Sequence, residues 1–116
     1  MRHKKGNRKL SKPTDQRIAL LRALSLSFIT HEKIKTTDVR AKETQKYVER
    51  LISLAKNGDL HSRRQALKLL PNKDAVKKLF DVISKNYTER NGGYTRRIKL
   101  GFRRGDSSPI SLLEFV

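Results

Sequence analysis

The chain has 116 residues, of which 28 are Lys or Arg and 11 are Asp or Glu, for a formal net charge of +17. It has no Cys, which excludes disulfides and thiolate metal sites, and no apolar run approaches the roughly 20 residues of a membrane span. Such a charge destabilises the free compact state by self-repulsion, so we expect a polyanion to supply the counter-charge, with nucleic acid favoured over an anionic membrane surface.

The first twelve residues, MRHKKGNRKLSK, hold six Lys or Arg and no Asp or Glu. Gly6 and the lack of apolar side chains between Met1 and Leu10 leave no local reason to fold, so this segment is expected to become ordered only on a polyanion. We therefore predict a basic, extended N-terminal arm over residues 1–13 and a single α+β domain over residues 14–116.

Apolar residues at helical spacing predict a first helix over residues 14–30, capped by Thr14 or Asp15. Its predicted stripe is Ile18, Leu21, Leu24 (or Ser25) and Phe28. Residues 38–56 form a longer second helix that stops at Asn57-Gly58, because both residue types tolerate the left-handed conformation of a helix C-terminus. The buried face predicted for this helix is Thr44, Val48, Leu51, Ile52 and Ala55.

Two further helices are predicted before the hydrophobic periodicity changes from that of a helix to that of a strand. The third spans about residues 59–70 and ends at Pro71, with Leu60, Leu67 and Leu70 on its apolar side. Asn72 caps the fourth helix, which runs out near Asn86. The residues predicted to be buried from the fourth helix are Val76, Leu79, Phe80 and Ile83.

Three segments have β character: KIKTT at residues 33–37, YTRRIKLGFR after the turn at 91–93, and ISLLEFV at residues 110–116. The second alternates with a period of two. Its apolar face, predicted to point into the core, is Tyr94, Arg96, Ile98, Leu100 and Phe102. Its cationic face, predicted to point outward, is Thr95, Arg97, Lys99 and Arg103. The predicted fold is α+β in two layers, in the order helix, strand, three helices, two strands, with a small mixed sheet covered by helices.

The excess positive charge is concentrated in two stretches. Residues 94–105 add five Lys or Arg and no acid to the six of residues 1–12, so these 24 residues hold 11 of the 17 excess charges. Because like charges on one strand face repel, a purely structural strand would more often alternate signs. Arg also presents a planar fork that suits phosphates and base edges. Both stretches are therefore predicted to contact a polyanion, with Tyr94 either stacking on a base or lying in the core.

The residues do not favour an enzyme. His3, His31 and His61 lie far apart without Cys or carboxylates at ligand spacing, which argues against a metal site. No glycine-rich phosphate motif occurs, and Ser107 and Ser108 have no base nearby. We expect no catalytic residue, metal, cofactor or small-molecule substrate.

Four segments, in this order and spacing, resemble one known family: MRHKKGNRKL, RALSLSFITHEKIKTT followed by RAKE, GGYTRRIKLGFRRGD, and ISLLEFV. They are similar to bacterial large-subunit ribosomal protein seventeen (the L-seventeen family) over nearly the full chain. The resemblance implies a cytoplasmic, non-catalytic constituent of the large ribosomal subunit. It also implies contacts with ribosomal RNA and with neighbouring large-subunit proteins, near the nascent-peptide exit region.

The resemblance implies RNA-contacting residues in three parts of the chain. In the arm they are Arg2, His3, Lys4, Lys5, Arg8, Lys9 and Lys12. In the first helix and first strand they are Arg17, Arg22, Lys33 and Lys35. In the C-terminal strand and loop they are Tyr94, Arg96, Arg97, Lys99, Arg103 and Arg104.

Two other classes of protein fit the basic sequence less well. A free nucleic-acid-binding protein of the nucleoid type would share the basic character, but no helix pair with a basic recognition helix is found. A peripheral membrane protein would need a basic helix with exposed aromatic residues, whereas the basic excess here lies on an arm and a strand. The sequence favours ribosomal RNA over both.

Overall fold

The computed structural model describes residue 10 and residues 12–116, and its elements follow the predicted order. They are α1 (Thr14–His31), β1 (Lys33–Thr37), α2 (Asp38–Asn57), α3 (Leu60–Leu69), α4 (Lys73–Lys78), β2 (Thr95–Phe102) and β3 (Pro109–Phe115). A π-helical turn, Leu79–Ile83, and a 3-10 turn, Ser84–Tyr87, continue α4 toward the predicted end of the fourth helix. The α+β succession is therefore confirmed, and the predictions for residues 1–9 and 11 lie outside the described residues.

The ends of α2, α3 and α4 follow the local sequence. Gly58 terminates α2 in the left-handed conformation at a φ of 72°. Asp59 caps α3 by accepting a hydrogen bond from the Ser62 N–H at 2.8 Å. Asn72 caps α4 by accepting one from the Ala75 N–H at 2.9 Å. Each cap satisfies a backbone group that the helix leaves without an internal partner.

The first turn of α1 differs from its prediction. Pro13 occupies the N-cap position, and no side chain caps the helix, so the cap predicted at Thr14 or Asp15 is wrong. Both of those residues lie inside the first turn. The predicted stripe is buried only toward the end of the helix, since Phe28 is fully buried and Ile18 is 37% exposed. The first half of α1 therefore extends beyond the core.

The three strands form an antiparallel sheet in the order β1-β3-β2. After the loop at residues 103–108, β3 returns along β2, and its other edge pairs with β1. Both pairings are antiparallel, so the predicted mixed sheet is wrong. β1 and β2 do run in the same direction, but β3 separates them. A bulge between Lys99 and Gly101 shifts the register of β2 on β3.

One hydrophobic core fills the space between the helices and one face of this sheet. From α2 it contains the predicted residues Thr44, Val48, Leu51, Ile52 and Ala55. From α4 and its continuation it contains the predicted residues Val76, Leu79, Phe80 and Ile83. On the sheet side, Leu113 is fully buried, and the rings of Phe28 and Phe115 pack with centroids 4.4 Å apart. The predicted two-layer arrangement is confirmed.

From Thr95 to Ile98, the two faces of β2 are the reverse of those predicted, whereas Lys99 is exposed as predicted. Thr95 is buried against the helices, and the Arg97 Nε lies 3.2 Å from the Asp38 Oδ1 at the start of α2. Ile98, predicted to lie in the core, is 40% exposed, although Tyr94, just before the strand, is buried. The reversal has a polar cause: α2 offers β2 hydrogen-bonding side chains. The Glu49 carboxylate accepts from the Thr95 hydroxyl at 3.3 Å.

A pair of Leu→Ala variants tests this placement of the core. Leu51 on α2 is fully buried, whereas Leu60 at the start of α3 is 62% exposed, although the sequence predicts both on apolar helix faces. We expect Leu51→Ala to lower the free energy of unfolding by about 2–5 kcal/mol, because it opens a cavity. We expect Leu60→Ala to lower it by less than about 1 kcal/mol.

Urea unfolding followed by circular dichroism measures both losses. Equal losses for the two variants would contradict the described core.

Candidate nucleic-acid interface

The face of the sheet that points away from the core presents three rows of side chains. Strand pairing defines these rows across β1, β3 and β2: Lys33, Glu114 and Arg96; Lys35, Leu112 and Ile98; Thr37, Ile110 and Gly101. Because side chains alternate along a strand, these residues lie opposite the buried Ser111 and Leu113. We call these nine residues the open face.

The open face is basic, with an apolar centre. Lys33, Lys35 and Arg96 are exposed, and Ile98 lies among them, also exposed. Glu114 is the acidic member of the nine residues, and its Oε1 accepts a hydrogen bond from the Arg96 Nε at 2.6 Å. Since that pair is neutral in sum, the two lysines leave the open face with a net positive charge.

The loop between β2 and β3 contains two arginines in different surroundings. The Arg103 guanidinium donates to both carboxylate oxygens of Asp106, from Nε at 3.1 Å and also from Nη2. This hydrogen-bonded pair holds the pKa of Asp106 well below its usual range and raises the pKa of Arg103. The Ser108 N–H also donates to Asp106, at 3.1 Å. Arg103 therefore shapes the loop, while Arg104 is exposed beside it.

A polar seam on the core side of the sheet joins β2 and β3 to the start of α2. The Ser111 hydroxyl, fully buried, donates to the Asp38 Oδ1 at 2.6 Å. This hydrogen bond lowers the pKa of Asp38, and the charges of Arg97 and Lys99 add to the effect. The Arg97 side chain is only 24% exposed, so it serves this seam. Lys99 is exposed at the strand surface.

Tyr94, one of the predicted contact residues, is 5% exposed. Its ring meets that of Tyr87 edge-on, with centroids 5.3 Å apart. Its hydroxyl accepts a hydrogen bond from the Lys56 Nζ at 3.0 Å. Burial in the core removes this ring from contact with a base, in agreement with the core alternative considered for it.

The basic residues predicted in α1 and just before it differ in their surroundings. The Arg22 guanidinium donates to the carbonyls of Leu69 at 3.2 Å and Lys68 at 2.9 Å, at the end of α3. Arg22 thus satisfies helix carbonyls that lack partners within the helix. Lys12 and Arg17 are half-buried near the start of α1. The predicted arm residues Arg2, His3, Lys4, Lys5, Arg8 and Lys9 lie outside the described residues.

The structure adds Arg40, Leu100 and Phe102, which the sequence did not identify as binding residues. Phe102 is 75% exposed and Leu100 is 51% exposed. Together with Arg40 and Lys35 they line a cleft of about 520 Å³ at one end of the open face. The available signal for Leu100 and Phe102 was Gly101, because a glycine inside a strand pattern indicates a bulge, and the bulge found here ends the regular alternation of β2.

Residue 10 and residues 12–116 lack two features of other protein classes. No helix in this part of the chain combines the length and apolar character needed to cross a membrane. No group of three or more His, Cys, Asp or Glu side chains here is arranged to hold a metal ion.

Comparisons with known proteins agree on one family. The family model described as Ribosomal protein L17 matches residues 20–116. The protein named large ribosomal subunit protein bL17 from Clostridium acetobutylicum is 57% identical over 111 residues, which cover 96% of this chain and 97% of that protein. The protein of the same name from Clostridium perfringens is 56% identical over 111 residues, 96% of this chain and 98% of its own. That from Allorhizobium ampelinum is 51% identical over 116 residues, all of this chain and 82% of its own.

The polar seam predicts a pH-dependent contribution of Asp38 to stability. Because its pKa is lowered in the folded state, Asp38 binds a proton more readily in the unfolded chain. Its contribution is therefore full above about pH 5 and is lost as the pH falls through about 4 and below. We expect Asp38→Asn to lower the free energy of unfolding at neutral pH by about 1–3 kcal/mol. The difference from the parent protein should shrink toward about pH 3.

Urea unfolding at several pH values measures this difference. Asp81→Asn is the matched control, because it removes an exposed ion pair with Arg63, whose Nη2 lies 3.5 Å from the Asp81 carboxylate. Such a pair contributes about 0–1 kcal/mol. A difference between Asp38→Asn and the parent that stays constant down to pH 3 would rule out this role for the seam.

Proposed function

Because the chain belongs to the ribosomal protein L17 family and is thereby a structural constituent of the large ribosomal subunit, we propose that it binds the ribosomal RNA of that subunit through two basic surfaces. The observation that carries this proposal is the open face, a net positive sheet surface that the described helices leave uncovered. The chain acts in the cytoplasm as part of the subunit, and no catalytic role is assigned to it.

The first surface comprises the open face and the loop that follows β2. Its proposed phosphate-contacting residues are Lys33, Lys35 and Arg96 on the open face and Arg103 and Arg104 in the loop. Lys99, exposed on the other side of β2, is proposed as a further contact beside them. Arg96 is held by Glu114, but their hydrogen-bonded pair is exposed on the Arg side and contributes little to stability. Arg96 can therefore exchange a carboxylate for a phosphate at small cost. Arg22 and Arg97 act mainly within the fold, because each is bound to another element.

The second surface comprises the basic arm and the start of α1. We propose that residues 1–13 form an arm that threads between RNA phosphates, with Arg2, His3, Lys4, Lys5, Arg8 and Lys9 as its contacts. Its support is the concentration of six Lys or Arg without an acid in twelve residues. Lys12 and Arg17 would continue this surface onto the exposed first half of α1. The remaining chain, residues 14–116, is proposed to be one domain, and the single core supports this division.

The proposal also assigns a location and protein neighbours. We propose that the chain lies near the nascent-peptide exit region, in contact with neighbouring large-subunit proteins, as the resemblance of its sequence to the family implies.

Cross-linking inside purified large subunits tests the two surfaces separately. A photoreactive amino acid replaces Arg8 in the arm or Arg104 in the loop, one position at a time. Arg104 is preferred to Arg103 because replacing Arg103 would also break its bonds to Asp106. Both positions are expected to capture ribosomal RNA. Capture of no ribosomal RNA from either position, or equal binding to duplex DNA without association with the subunit, would overturn the proposal.

The salt dependence of binding tests the open face quantitatively. Lys33→Gln combined with Lys35→Gln removes two charges from it. Each lost phosphate contact should reduce the slope of log affinity against log salt concentration by about 0.7–0.9. We therefore expect a decrease of about 1.4–1.8 for the double variant on deproteinised large-subunit RNA.

The control is Lys73→Gln combined with Lys85→Gln, which removes two exposed charges from the helical layer. This control variant should reduce the slope by clearly less than the double variant at Lys33 and Lys35 does. Equal decreases for both double variants would mean that the chain binds RNA through its net charge and not through the open face.

A further inference from the structure

The cleft at one end of the open face has the features of a ligand site. It lies between the end of β1, the start of α2 and the end of β2. Its lining includes Lys35, Arg40, Leu100, Phe102, Arg103 and Ile110. Its volume of about 520 Å³ falls within the roughly 300–1,000 Å³ that is usual for sites of small ligands.

One wall of the cleft is apolar and aromatic. Phe102 is 75% exposed and Leu100 is 51% exposed, so both present apolar surface to water in the chain alone. The bulge between Lys99 and Gly101 interrupts the ladder at this point, and bulges re-aim the side chains that follow them. Gly101 takes a φ of 131°, a conformation that other residues adopt only under strain. The local backbone therefore places an aromatic ring where no core covers it.

The rest of the lining is cationic. Lys35 and Arg40 contribute two positive charges that no acidic residue of the lining offsets, and Arg103 adds a third cation whose charge is paired with Asp106. Arg103 is held in place by Asp106, which lies outside the lining. An occupant of this cleft must therefore be anionic and must offer a flat or apolar surface to Phe102.

We propose that this cleft binds one unpaired nucleotide of RNA, with its base stacked on Phe102 and its phosphate beside Lys35 and Arg40. This inference rests on the proposed function and deepens it by naming the form of RNA that the site takes. An unpaired nucleotide combines a π face with a phosphate, whereas the bases of a duplex are already stacked on each other. An acidic protein segment matches the charge of the cleft but does not require an exposed aromatic ring.

Substitutions at position 102 test the stacking. Phe102→Ala should weaken binding of the full chain to deproteinised large-subunit RNA by about 5- to 100-fold, the usual effect of losing a base-stacking aromatic side chain. Phe102→Tyr should bind this RNA about as tightly as the parent protein, because it keeps the aromatic ring. Leu60→Ala removes a similarly exposed apolar side chain from outside the cleft and should leave the affinity unchanged. Equal affinities for Phe102→Ala and the parent protein would overturn the inference.

Cross-linking identifies the occupant and does not depend on these variants. A photoreactive phenylalanine at position 102, in purified large subunits, should capture a nucleotide that is unpaired in the ribosomal RNA. Capture of a protein, of a base-paired nucleotide, or of nothing would overturn the inference.

The result at position 104 separates this failure from failure of the proposed function. If the photoreactive residue at position 104 captures ribosomal RNA and the one at position 102 does not, the cleft assignment fails and the RNA-binding function stands. If the photoreactive residues at positions 8, 102 and 104 all capture no RNA, both proposals fail.

Discussion

The contact between α2 and one face of the sheet decides where the cations of this chain lie. Its polar part is the seam in which Ser111 donates to Asp38 and Arg97 pairs with the same carboxylate. With Thr95 bonded to Glu49 of the same helix, the seam fixes the core-facing side of β2. Alternation along the strand then forces Arg96 and Ile98 outward. The open face, and with it the cleft at its end, follows from this packing.

Partners within the fold divide the basic residues into two groups. Arg22 caps the end of α3, Arg97 joins β2 to α2, and Arg103 shapes the β2–β3 loop. Their charges serve tertiary structure first, since a bound guanidinium leaves its position only by giving up hydrogen bonds. Lys33 and Lys35, in contrast, are exposed on the open face. A net charge of +17 thus overstates the charge available to a partner.

Much of the fold was predictable because its signals are local. The cap at Asn72 and the stop at Gly58 depend on residues within one helical turn, and the structure confirms them. The buried face of α2 follows from 3.6-residue periodicity over a long helix. The faces of β2 were assigned wrongly, because hydrophobicity ranked Ile98 above Thr95 as a core residue. That ranking omits the hydrogen-bonding partners that α2 supplies to Thr95 and Arg97.

By itself, the sequence determined the order of the elements, the family, and the concentration of positive charge in the arm and the β2 region. Composition, periodicity and motif spacing are properties of neighbouring residues, so they can be read without coordinates. Tertiary structure alone decided that β3 is central, which face of β2 is exposed, and that Phe102 joins Lys35 and Arg40 around one cleft. Those outcomes depend on contacts between residues far apart in the chain, where packing and hydrogen bonding to α2 outweigh the preference of any single strand.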